Sequence, residues 1–147
     1  MPAMIARLAA AAALLLTAAL PASAAEPATC AAPADLSATP YAAWTGADGD
    51  SAALVAGTPV TLAMTGGAAS RSVRIAEAGK YGVAADSKVW IDLMADGEPL
   101  TSVGHGHGPD CSGIRKVVWF DLAAGEYELA LTKAVAEKVR LLVVKAP

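Results

Sequence analysis

From residue 58 onward, apolar and polar residues alternate in short runs. Val60, Leu62 and Met64 share one face over 58–64, Val73 and Ile75 over 72–76, and Val89, Ile91 and Leu93 over 88–94. The run 114–122 alternates less cleanly, after which 126–132 offers Tyr127, Leu129 and Leu131, and 138–144 offers Val139, Leu141 and Val143. Period-two alternation marks strands buried on one face. Between the runs lie Thr65-Gly66-Gly67, Ala78-Gly79, Asp96-Gly97, the segment 104–113 and Ala124-Gly125, all with turn chemistry. The one helical candidate downstream of the N-terminus is a single turn over 133–137. Short strands separated by glycine turns predict an all-β fold, a single antiparallel β-sandwich or jelly-roll-like domain over 58–147.

The N-terminus breaks this pattern. Arg7 precedes an apolar run over 8–20, and Ala22-Ser23-Ala24 then satisfies the small-x-small rule of signal cleavage. The run falls short of the ~20 residues that span a bilayer. Residues 1–24 are therefore expected to be a signal peptide cleaved after Ala24, leaving a periplasmic or secreted protein without a transmembrane segment. Residues 25–57, rich in Ala, Pro, Gly, Ser and Asp, hold no period and read as an irregular N-terminal segment anchored by Tyr41 and Trp44. What remains is long enough for one domain with a real core.

Composition narrows the partners. The formal charge is −3, and Arg115-Lys116 is the sole adjacent basic pair, so nothing neutralises a row of phosphates and nucleic acid is excluded as a partner. Two cysteines in an exported chain most simply form one disulfide, Cys30 with Cys111, worth roughly 4 kcal/mol by chain entropy. If instead Cys111 is free, it is a candidate metal ligand.

Both histidines fall in Gly104-His105-Gly106-His107-Gly108-Pro109-Asp110-Cys111. On an extended segment His-x-His puts both imidazoles on one face, and Asp110 adds a carboxylate. The set His105, His107 and Asp110 is the two-His-one-carboxylate arrangement of non-haem iron; with a free Cys111 it suits Zn or Cu. No further histidine exists, so a three-His-one-Glu site is excluded. The competing expectation is a tight structural loop pinned by Cys111. Trp90 and Trp119 each oppose the apolar face of their run, and on neighbouring strands they would form an aromatic platform for sugar rings. The alternative is that they cover the second face of the sheet.

Ala78-Gly79-Lys80-Tyr81 is echoed by Ala124-Gly125-Glu126-Tyr127, which predicts two similar corners where a tyrosine enters the core at the start of a strand. This corner resembles those of bacterial exported β-sandwiches of the pre-peptidase C-terminal and carbohydrate-binding kinds, over residues 71–144. The run 103–116, preceded by Trp90-Ile91-Asp92 and followed by Ala124-Gly125-Glu126-Tyr127, also resembles a family of small exported bacterial proteins, some labelled homogentisate 1,2-dioxygenase. That resemblance implies an Fe(II) enzyme that opens an aromatic ring with O₂. It carries over His105 and His107, with Asp110 in place of the glutamate. The leading expectation is a periplasmic binding protein whose His-rich loop takes a small molecule, a glycan or a metal ion such as Fe, Cu or Zn. A metal-dependent dioxygenase and a structural envelope protein are the alternatives.

Overall fold

The computed structural model describes residues 29–147. The expected signal peptide over 1–24, its cleavage point and residues 25–28 lie outside the described residues. Among the described residues, ten strands form two stacked five-stranded sheets. The first runs β1 (Leu54–Val55), β3 (Ala69–Ile75), β9 (Gly125–Thr132), β5 (Trp90–Ala95) and β6 (Glu98–Pro99). The second runs β2 (Val60–Ala63), β10 (Lys138–Lys145), β4 (Gly79–Ala85), β8 (Lys116–Leu122) and β7 (Gly104–Gly106). All pairings are antiparallel except β1 with β3. The protein is a β-sandwich.

Alternation sets the core. Val73, Ile91, Leu93, Leu129 and Leu131 of the first sheet join Val83, Phe120, Leu141 and Val143 of the second in one buried cluster. Each such side chain contributes about 1.5–3 kcal/mol of burial. The two tyrosine corners are built alike. Tyr81, the third residue of β4, donates its hydroxyl to Glu77 O at 2.8 Å, while Tyr127, the third residue of β9, donates to Ala123 O at 2.8 Å. A tyrosine whose hydroxyl returns to the main chain a few residues upstream fixes the entry angle of its strand.

Three expectations are corrected. Strand β4 was hidden from the period-two pattern because Tyr81, Gly82, Val83, Ala84 and Ala85 are all buried, so both faces are covered and no alternation survives. The covering layer is the N-terminal segment itself: Leu36 and Trp44, the latter in a 3-10 turn over Ala42–Thr45, pack on Ala84, Val117, Leu142 and Val144. The described part of that segment, 29–57, is accordingly packed into the fold through Leu36 and its expected anchor Trp44, and its Leu54–Val55 pairs as β1. No helical turn forms over 133–137; Lys133 takes a left-handed φ of 59° and the chain bends into β10 instead.

Arg140 pins that layer. From the outer face of β10 it donates to Trp44 O at 3.0 and 2.8 Å and to Gly46 O at 2.6 Å, and it pairs with Asp48. No helix among the described residues is long and apolar enough to cross a membrane.

Candidate functional site

The His-rich loop divides into two halves. Gly104, His105 and Gly106 form β7, the last strand of the second sheet, and His105 lies opposite Val118 of β8. Opposed residues share a face, so His105 points to the inner side with Val118. Beyond Gly106 the chain leaves the sheet and knots itself down. Ser112 donates its hydroxyl to Pro109 O at 2.6 Å and accepts from the Ile114 amide at 3.1 Å, while the Gly108 amide donates to Ile114 O at 3.1 Å. A Cβ at Gly108 would lie 2.5 Å from Ile114 Cβ, so only glycine fits. Cys111, at φ 62°, is bonded to Cys30, and the Ala34 amide donates to Cys111 O at 2.9 Å.

The expected metal set is not assembled. Among the described residues no group of three or more His, Cys, Asp or Glu could hold a metal ion. The strand ends at Gly106, so the two-residue repeat that would put His107 beside His105 stops one position short. Asp110 follows a proline turn and stands exposed, and the Cys111 sulfur is committed to the disulfide. These residues therefore do not fit the iron of a two-His-one-carboxylate enzyme, nor a Zn or Cu site completed by Cys111.

His105 instead joins a different constellation. It lines a cleft of ≈ 230 Å³ between the two sheets, together with Trp90, Asp92, Ser102 and Lys116. The floor is Ile91, Leu100, Val118 and Phe120, with Phe120 fully buried. The cleft exists because both sheets end here. Beyond β5, strand β6 pairs only with Met94 and Ala95, so among the described residues the stretch 90–92 has no strand on that side, and β7 has none beyond it.

Trp90 stands at the rim, 53% exposed. Its indole N–H donates to Asp92 Oδ2 at 3.0 Å, and the ammonium groups of Lys116 and Lys133 lie 5.1 and 5.3 Å from its ring centroid. Lys116 reaches across from β8 and donates to Val89 O at 2.8 Å, holding its charge over the rim. An apolar floor under an aromatic rim with two ammonium groups, an imidazole and a partly engaged carboxylate can hold a compact group by burial while directing a negative charge to the mouth.

Trp119 does not belong to this site. Trp90 lies in the first sheet and Trp119 in the second, so they are not on neighbouring strands and share no platform. Trp119 lies half-buried across Gly82, where a Cβ would come within 2.8 Å of its ring, and Lys80 sits 5.7 Å from its centroid. It covers the outer face of its sheet. Sequence reasoning did not single out Lys116 for the site; its one signal was membership in the lone basic doublet, Arg115-Lys116.

No protein-family model matches the chain, and no curated protein matches it. Among solved structures, the pre-peptidase C-terminal domain of collagenase from Bacillus anthracis is similar, at 14% identity over 62% of this chain and 91% of that one, with a TM-score of 0.46. Nothing about ligand or activity follows from that likeness.

Proposed function

We propose that this protein is an exported β-sandwich binding module that holds one compact ligand group in the cleft between the free edges of β5 and β7. The observation that carries the reading is the convergence of His105, Trp90 and Lys116, from three separate strands, around a floor that includes Phe120. Export is supported by the signal pattern over 1–24. A volume of ≈ 230 Å³ suits a single ring or a short branched chain, below the range of drug-sized pockets. The ammonium groups of Lys116 and Lys133 favour a ligand that bears a carboxylate. A dioxygenase at the His-rich loop lacks support, because its ligand set is not brought together.

Calorimetric titration with neutral monosaccharides, their uronic acids and single-ring carboxylates tests the reading. At least one acidic member binds, and Trp90→Ala and His105→Ala each weaken it about tenfold, or roughly 1.4 kcal/mol. Unchanged affinity in both variants would sink the assigned site.

A further inference from the structure

We infer that the group seated in the cleft is a side chain of an extended, acidic polypeptide segment, which adds to β7 as a sixth strand of the second sheet. The inference rests on the cleft reading above and names its ligand. Four strands form the edges of the two sheets, and three of them are guarded. Strand β6 is Glu98–Pro99, which combines a charge with a residue that has no amide hydrogen. Strand β2 follows Pro59, whose carbonyl already accepts the Gly49 amide at 2.9 Å. Strand β1 is two residues long, and Ser51 just before it accepts from Arg71. Short length, charge and proline are the devices by which proteins keep edges from pairing.

Strand β7, at three residues, is also short, but it uses neither charge nor proline. Its sequence is Gly-His-Gly, it ends the strand order of its sheet, and among the described residues no strand pairs with its far side. This edge, lacking charge and proline, is also the one that borders the cleft, because its central residue, His105, lines it. In strand addition, main-chain hydrogen bonds supply affinity and pockets receive alternate side chains. A strand laid beside β7 would bring one inward side chain next to His105 and over the floor of Val118 and Phe120. Charge selects the segment. Lys116 and Lys133 cluster at Trp90, so two ammonium groups face the single carboxylate of Asp92 and the mouth is net cationic in a chain whose formal charge is −3.

The experiment uses a pool of blocked linear octapeptides, randomised at every position, passed over the immobilised protein. Peptides that bind are expected to carry an acidic residue beside an apolar one, and to shift the amide resonances of Gly104, His105 and Gly106. Methylating alternate backbone amides of such a peptide should weaken it about tenfold, because a few ladder bonds are lost while its side chains remain. Binding indifferent to N-methylation, resonance shifts confined to other strands, an empty selection, or pairing of β7 with a second copy of the chain would each overturn the inference. A single-ring carboxylate that still binds in a Trp90- and His105-dependent way, with no peptide selected, leaves the cleft reading standing. Loss of both removes the site altogether.

Discussion

The second sheet has a closed side and an open side, and one loop serves both. On its outer face the N-terminal layer is sealed by Leu36 and Trp44, by Arg140 and by the Cys30–Cys111 disulfide. At its β7 edge no further strand and no disulfide lie among the described residues, and the inner side chain of that edge lines a cleft. The residues 104–113 cross from one regime to the other: 104–106 are sheet edge, and 108–113 are knot. Stability is thus concentrated where the loop ends, and the proposed recognition where it begins. The glycines differ accordingly, since Gly108 is required by the packing of Ile114 whereas Gly106 faces open space.

The largest effect is expected from cutting the closed side. Replacing Cys30 and Cys111 together by serine opens a cross-link between residues 81 apart in sequence and should lower unfolding free energy by up to about 4 kcal/mol in urea titrations. If the two halves of the loop are separable, binding in the cleft changes less than about twofold at a denaturant concentration where both proteins stay folded. A parallel loss of affinity would show that the knot also positions His105.

Arg140 tests the same side without touching the disulfide. Its guanidinium serves Trp44 O, Gly46 O and Asp48 at once, so Arg140→Ala removes charge-assisted bonds and should cost about 2 kcal/mol. Arg140→Lys should recover only part, because a point charge cannot reproduce the planar fork. Trp44 fluorescence, isolated in a background with Trp90→Phe and Trp119→Phe, reports the outcome: a shift to longer wavelength means that the layer has lifted, and an unchanged spectrum with unchanged stability would remove Arg140 from the account.

Much of the sandwich was legible because burial on one face leaves a written alternation. Val89, Ile91 and Leu93, and likewise Val139, Leu141 and Val143, are buried as their spacing predicts. Strand β4 left no alternation for the opposite reason, since a layer from far upstream buries its second face and erases the period, and only the Ala78-Gly79-Lys80-Tyr81 corner announced it. The pairing of the two cysteines was also readable, as only one partner was available. The metal set was read from neighbours in sequence, yet a strand end at Gly106 and a turn at Pro109 separate His105, His107 and Asp110. The cleft draws on residues from β5, β7, β8 and the connection after β6, and no local pattern records that convergence. Asp92 and Lys116 come together only through the stacking of the two sheets.

The smallest effect concerns the rim of the closed side. Thr61 and Arg140 beside Asp48 hold its carboxyl below the ordinary value of 3.8. A carboxyl whose pKa is lower in the folded state than in the unfolded chain contributes stability that is fully present above the ordinary value and lost as pH falls through the lowered one. The window therefore lies below about pH 4. Because the Asp48 side chain is 39% exposed, solvent screening limits the contribution to a few tenths of a kcal/mol. Asp35, held low by the Ser37 amide, and Glu77, held low by Lys145, add slope of the same sign to any acid titration. The informative quantity is thus the difference between wild type and Asp48→Asn in urea midpoint, at about pH 6 and at about pH 3. The variant should be slightly less stable at the higher pH and indistinguishable at the lower one. A gap that persists at low pH would mean that Asp48 acts by packing against the N-terminal layer and not by its charge, and the seal there would rest on Arg140's bonds to carbonyls alone.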